Sequence, residues 1–314
     1  MLRSLPAVLL QLFGISILLA IAAALVSLLY VATILHEVLH PPRGGLAFAL
    51  ARRLPSEPAS LGLPHRTFEV AIDARGPTGS STTMPVWELS RSAASIDGPA
   101  ADRPRLHVIL LHGWGRSRID SLGRVEPFLL DDASIYLPDL RGHGDSRCRT
   151  TLGVREVEDL DRLIATLAPG PVVLAGHSMG ATIALRCAAH GAERARVRGV
   201  VAIAPYDVIR TPIEARLASR DLPRGIFLGL TMAELRRRGL LCESAVDAAR
   251  SLTVPVLVLQ GENDRISPAG PARAVAEAAR ATYVALPDVE HANHHDRHPE
   301  RFESAIREFL RGLT

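Results

Sequence analysis

The chain contains no lysine: its 36 basic side chains are all arginine, set against 33 Asp and Glu for a net charge of +3. The missing lysine reads as compositional bias and carries no functional meaning by itself. Aromatic residues make up only 4%, and no block of basic residues is interleaved with them, so nucleic-acid binding lacks its usual footprint. The three cysteines, Cys148, Cys187 and Cys242, are too few and too scattered for a disulfide framework or a zinc site. Their odd number favours a reducing compartment. With 47% hydrophobic residues in 314, disorder is excluded and a core of one large α/β domain or two small ones is available.

Charge is also absent from residues 5–35, where only Gln11 and a few Ser and Thr interrupt an apolar run. At about 1.5 Å per residue such a helix exceeds the roughly 30 Å of bilayer hydrocarbon. A cleaved signal peptide would have an apolar stretch of only about 7–15 residues, and this one continues well past the small-residue patch at 20–24. An uncleaved transmembrane anchor over residues 1–40 is expected, against a long signal peptide or a buried hydrophobic helix. Arg3 stands on one side and Arg43, Arg52 and Arg53 on the other, a count that favours the rest of the chain lying on the cytoplasmic side. Pro41, Pro42, Gly44 and Gly45 break the helix. Residues 41–64 then read as a juxtamembrane linker whose apolar clusters at 46–50 and 61–63 face the membrane surface.

Residues 172–185 organise the remainder of the chain. A short, apolar, partly β-branched run at 172–175 reads as a strand buried on both faces, and the residues after Met179 are small and helix-compatible. Between them lies Gly176-His177-Ser178-Met179-Gly180. Small residues suit a tight strand-to-helix turn that brings backbones close and holds the serine in a strained conformation. A serine hydroxyl is a poor nucleophile, so this reading requires a base and an orienting acid elsewhere.

In chain order, strands are expected at 68–73 and 85–90 with a turn at 76–81 between them, and then a loop at 92–104. A strand at 106–111 runs into His112-Gly113-Trp114-Gly115, and a strand at 134–137 into Asp139-Leu140-Arg141-Gly142-His143-Gly144-Asp145-Ser146. A helix at 156–167 has apolar residues at helical spacing. After a strand at 197–204, residues 207–252 are irregular and arginine-rich and read as a lid. Its arginines, Arg210, Arg216, Arg220, Arg224 and Arg236 to Arg238, either form a solvated face or, with Phe227, Leu228 and Leu230, meet an anionic membrane surface. A strand at 254–260 leads to Gly261-Glu262-Asn263-Asp264, and one at 283–286 leads to His291. Phe302, Ile306, Phe309 and Leu310 mark a last amphipathic helix.

Gly-x-Ser-x-Gly, the strand ending in His-Gly-x-Gly, the Asp-x-x-Gly-His-Gly-x-Ser loop and the Gly-x-x-Asp loop together resemble the α/β-hydrolase superfamily, of serine esterase and lipase type, over residues 65–314. The order Ser178, Asp264, His291 matches that family. The resemblance implies a mostly parallel central sheet with helices on both faces and a small lid after the sixth strand. It further implies Ser178 as nucleophile, His291 as general base and Asp264 as the orienting acid, with Asp207 the runner-up. The amides of Trp114 and Met179 would form the oxyanion hole, and His112, Asp139, Arg141 and His143 would be structural. Ser178 where a dehalogenase or epoxide hydrolase of this fold carries aspartate argues against both. The departures are Ala181, where a second glycine often follows the elbow, and Glu290, where glycine is common before the histidine.

The implied chemistry is hydrolysis of a carboxylic ester through an acyl-enzyme, without metal or organic cofactor, and the anchor points to an acyl lipid or acylated protein as substrate. Acyl transfer, peptide hydrolysis and a non-catalytic membrane-tethered scaffold are the rivals. A metal reading of His294, His295 and His298 would leave the Gly-x-Ser-x-Gly motif unexplained.

Overall fold

The computed structural model describes residues 5–51, 54–73, 82–91, 106–292 and 294–313. The turn expected at 76–81, the loop expected at 92–104 and Arg3, Arg52 and Arg53 lie outside the described residues. In chain order the helices and strands are α1 (Leu5–Leu39), α2 (Leu46–Ala51), β1 (His65–Asp73), β2 (Thr82–Leu89), β3 (Leu106–Leu111), α3 (Arg118–Ser121), β4 (Ala133–Pro138), α4 (Glu156–Thr166), β5 (Val172–His177) and α5 (Met179–His190). They continue with β6 (Val197–Ile203), α6 (Arg210–Ala218), α7 (Gly225–Arg237), α8 (Ala245–Arg250), β7 (Val256–Gly261), α9 (Ala269–Ala279), β8 (Thr282–Leu286), α10 (His294–Arg297) and α11 (Pro299–Arg311).

The strands form one eight-stranded sheet in the order β1-β2-β4-β3-β5-β6-β7-β8. β2 runs antiparallel to both β1 and β4, and the remaining pairs are parallel. Parallel strands are covered on both faces, which is why they are written as continuous apolar runs. The period of two then sorts each run between two cores. On β3, Ile109 and Leu111 pack with Leu160, Leu163 and Ile183 from α4 and α5. Val108 and Leu110 face the other way, toward Phe128 and toward Phe302, Ile306 and Leu310 of α11.

Of the stretch at 207–252, α6 and α7 lie beside the end of α1, whereas α8 packs with α5 and α9 as part of the layer covering the sheet. Its arginines divide accordingly. Arg237 and Arg238 both pair with Glu234 at 2.7 Å on an exposed face, while Arg216 and Arg220 turn toward α1 and a cavity they share with it.

The helix α1 has two different surroundings. The large apolar side chains from Val8 to Leu29 are exposed, a length of about 33 Å at 1.5 Å per residue. Ala7–Leu39 as a whole is long and apolar enough to cross a membrane. From residue 30 the helix lies on the body of the protein. Val31, Ile34, Leu35, Val38 and Leu39 are buried against Leu152, Ile213, Leu217, Leu228 and Leu235. Tyr30 marks the change, donating to the carbonyl of Pro223 at 2.9 Å and meeting Phe227 edge-on with ring centres 4.7 Å apart. Each fully buried aliphatic side chain in this seam contributes about 1.5–3 kcal/mol relative to exposure, so the end of α1 is part of the folded body. Leu235 is fully buried at that seam. Leu235→Ala is expected to cost about 2–5 kcal/mol of unfolding free energy in denaturant melts of the full-length protein in detergent, and a loss below about 0.5 kcal/mol would show that the seam is not packed in solution.

Candidate active site

The turn between β5 and α5 is where backbone geometry and chemistry meet. Ser178 has φ 55° and ψ −114°, a left-handed conformation that costs a non-glycine residue on the order of 1–3 kcal/mol. The surrounding backbone over-determines it. The Ser178 amide donates to Ile203 O on β6 at 2.8 Å, and the Ser178 carbonyl accepts from Thr182 N at 3.2 Å as α5 begins. A Cβ on Gly180 would lie 2.5 Å from Leu111 O and 2.7 Å from His112 O, and one on Gly176 would strike the Gly180 carbonyl and lie 2.7 Å from Ala181 N. The flanking glycines are therefore required by space.

Ser178 Oγ lies 3.0 Å from His291 Nε2, and His291 Nδ1 lies 2.7 Å from Asp264 Oδ2. The three sequence-expected residues are brought together from the loops after β5, β7 and β8, at the carboxyl edge of the sheet. Asp264 is buried, and its other oxygen accepts the amides of Ile266 at 2.9 Å and Ser267 at 2.8 Å. With the carboxylate accepting from Nδ1–H, Nε2 of His291 is left as the acceptor facing the serine hydroxyl. Asp207 is elsewhere: its carboxylate accepts from Ser244 Oγ and from Val246 N at 3.0 Å, fixing the start of α8. Glu290 is exposed.

Met179 is the first residue of α5, so no intrahelical carbonyl reaches its amide. Gly113 approaches the elbow so closely that a Cβ there would lie 3.4 Å from Ser178 Cβ, and Trp114, the next residue, lines the same cavity as the serine. His112 ties this loop to the next: its Nε2 accepts from Leu140 N at 3.0 Å while Nδ1 donates to Gly113 O at 2.8 Å. Arg141 makes a buried two-pronged pair with Asp159 at 2.7 and 2.8 Å, and Asp139 accepts from Arg118 N and Asp145 N at 2.8 and 2.9 Å. His143 Nδ1 donates to Arg141 O at 2.9 Å.

Three features of the site are not conspicuous in the sequence. His177, the variable residue before the serine, donates from Nε2 to the backbone carbonyl of His291 at 2.7 Å and so holds the histidine loop. Arg124 is buried and donates to the carbonyls of Asp120 and Ala292, and burial lowers its pKa to about 10. Third, the end of α1 is part of the site. A cavity of about 350 Å³ at Ser178 and His291 is lined by Ile34, Glu37 and Val38 of α1 together with Trp114, Ile213, Arg216 and Leu217. The Trp114 indole donates to Val38 O at 2.9 Å, and Ser117 Oγ donates to Gly44 O. His294, His295 and His298 do not converge, and among the described residues no group of three or more His, Cys, Asp or Glu is placed to hold a metal ion.

A serine on a strained strand-to-helix turn, in contact with a histidine that an aspartate holds from behind, both delivered after later strands of a mostly parallel sheet, defines the α/β-hydrolase class. A model of the Alpha/beta hydrolase family matches residues 108–305, more than half of the chain, and the chain belongs to that family. It is 28% identical over 242 residues to the pimeloyl-[acyl-carrier protein] methyl ester esterase of Chromobacterium violaceum, covering 65% of this chain and 93% of that protein. It is 41% identical over 96 residues to the magnesium-chelatase 30 kDa subunit of Rhodobacter capsulatus, where the match spans only 33% of that protein and 30% of this chain. Among solved structures, the Pyrococcus furiosus esterase Pf2001 superposes with TM-score 0.67 at 19% identity, covering 88% of this chain and 98% of that one. A thermophilic esterase of Thermogutta terrifontis superposes with TM-score 0.56 at 23% identity, covering 79% and 99%.

Several histidines around the site are held neutral. Burial, with the Arg124 charge adding to it, pushes His177 and His294 well below the ordinary imidazole range and His295 down to about 3. Burial also lowers His112 and His143. In the unfolded chain these rings take up protons near pH 6.5, whereas the folded protein resists doing so. Unfolding therefore binds protons at pH below about 6.5, and stability is flat above that value and falls as the pH falls below it. Denaturant melts at pH 7.5, 6.0 and 5.0 are expected to show this progressive loss, with a slope of about 1.4 kcal/mol per pH unit for each ring fully resisting protonation. A profile that stays flat to pH 5 would contradict the buried neutral rings.

Proposed function

We propose that the protein is a membrane-anchored serine hydrolase of carboxylic esters. The observation that carries this reading is the continuous contact from Ser178 Oγ through His291 to Asp264, at 3.0 and 2.7 Å. In the proposed cycle His291 Nε2 takes the hydroxyl proton as Ser178 Oγ attacks the ester carbonyl. The tetrahedral oxyanion is held by the amides of Trp114 and Met179. His291 then delivers the proton to the leaving alcohol, leaving an acyl-serine. A water molecule repeats the sequence: His291 removes its proton, hydroxide adds to the acyl carbonyl, and the proton returns to Ser178 Oγ as the carboxylic acid departs. Asp264 holds the Nδ1–H tautomer and offsets the charge on the imidazolium.

Hydrolysis of an ester is supported by the relative from Chromobacterium violaceum, whose name describes an ester hydrolase. The anchoring part rests on α1: its exposed apolar stretch of about 33 Å suits a roughly 30 Å hydrocarbon core, and a soluble protein would leave those side chains in water. In this reading residues 1–40 are the anchor, 41–64 connect it and 65–314 are the hydrolase domain.

The test is labelling of the full-length protein in detergent with a fluorophosphonate probe, alongside hydrolysis of p-nitrophenyl butyrate. Ser178→Ala and His291→Ala are expected to abolish labelling, and Asp264→Asn to lower kcat by about 10⁴ with little change in KM, because the histidine adopts the wrong tautomer. Folded wild-type protein that neither labels nor hydrolyses the ester would refute the proposal.

A further inference from the structure

The cavity at Ser178 is lined by Arg116, Arg124, Arg216 and Arg220, and their partners differ. Arg220 pairs with Glu37 at 2.8 Å and Arg116 with Asp120 at 3.4 Å. Arg124 is engaged by the carbonyls of Asp120 and Ala292. For Arg216, by contrast, no carboxylate lies within ion-pair distance among the described residues. Its guanidinium sits over the Trp114 ring, 4.1 Å from the centroid. Burial lowers its pKa, the Glu37 charge opposes that shift, and Arg220 and Arg116 add to it. A cation that has lost part of its hydration, with Glu37 near but not in ion-pair contact, gains from an anionic group entering beside it. Stacking on an aromatic face leaves the in-plane N–H donors of a guanidinium available for two-pronged binding.

The position of this cation matters as much as its charge. Trp114 follows Gly113, whose backbone abuts Ser178, and Arg216 lines the same cavity as the serine, so a group held by Arg216 shares that cavity with an ester carbonyl at Ser178. The opposite character comes from Ile34, Val38, Leu54, Ile209, Ile213 and Leu217, which line the same cavity. Two of these belong to α1. The helix meets the body of the protein at Tyr30, and from there to Val38 the rise is only about 12 Å. The apolar wall of the cavity is therefore the direct continuation of the exposed, membrane-length part of α1.

We propose that this cavity takes an anionic acyl amphiphile from the bilayer, its chain lying against Ile34 and Val38 and its anionic group held by Arg216. This rests on the serine-esterase reading and adds to it a substrate class and a selecting residue. Arg216 acts by binding, and its removal changes which ester is preferred.

The experiment uses full-length protein in mixed micelles and measures fatty-acid release from phosphatidylglycerol and from uncharged diacylglycerol of identical acyl chains, with p-nitrophenyl butyrate hydrolysis run in parallel. A further arm presents the diacylglycerol in micelles containing a non-hydrolysable anionic ether lipid, which charges the surface without charging the substrate. The wild type is expected to favour the anionic ester by about tenfold or more in kcat/KM, the size of a charge-assisted hydrogen bond, with no comparable gain from the ether lipid. Arg216→Gln is expected to bring the ratio close to one through loss on the anionic ester, and Arg216→Lys to retain part of the preference. The proposal is overturned if a wild type active on p-nitrophenyl butyrate treats the anionic and the uncharged lipid alike or cleaves neither. It is equally overturned if the ether lipid reproduces the preference or if Arg216→Gln keeps it. A wild type inactive on p-nitrophenyl butyrate and unlabelled by the probe would instead bring down the serine-esterase reading, and this one with it.

Discussion

The backbone of Ser178, held at φ 55°, is the constraint around which the rest of the structure is arranged. A residue in that conformation persists only where its surroundings permit no other. Here they consist of a bond to the neighbouring strand at Ile203, the first bond of α5 through Thr182, and two glycines into which adjacent backbone is pressed. Relaxing the turn would carry the hydroxyl away from His291. The sheet supplies the rigid edge from which this is done, since β3, β5, β7 and β8 all run parallel and end on the same side.

Around the serine, charge is distributed unequally. Asp264 is bonded to its own loop and to His291, while the neighbouring His177, His294 and His295 are kept uncharged by burial and by Arg124. His291 is the ring of this group bonded to the buried Asp264, at 2.7 Å, whereas His295 meets the exposed Asp296 at 3.3 Å. Neutral rings beside it fill space and, in the proposed reading, add no positive charge that would oppose an imidazolium on His291. The His177 bond to the His291 carbonyl is the clearest case of such support.

The N-terminal helix joins the site to whatever surrounds its exposed length. Its last turns are buried among α6 and α7, its Val38 carbonyl receives the Trp114 indole, and Glu37 pairs with Arg220. The loop whose amide is the candidate oxyanion donor is thus fastened to α1 directly. In the proposed reading, tether and catalytic pocket are one packed unit, because Ile34, Glu37 and Val38 of the helix line the cavity at the serine.

The sequence by itself determined the elements whose signals are local. Strands such as 106–111 and 172–175 are legible because a strand covered on both faces is uninterrupted and apolar, and the elbow is legible because only small residues fit its turn. Asp264 and His291 follow because each stands in a loop just after such a strand. Tertiary structure alone decided that the final turns of α1 line the cavity, since Ile34 and Val38 have the same hydropathy whether lipid or protein covers them. It also decided how the arginines differ: among 36 identical side chains, Arg124 and Arg216 are distinguished only by burial and by the partners around them. His177 reached the carbonyl of His291, and Asp207 the first residues of α8, through contacts between segments far apart in the chain. Propensity and periodicity report on a residue's immediate neighbours along the backbone, whereas these roles depend on which surfaces the fold presses together.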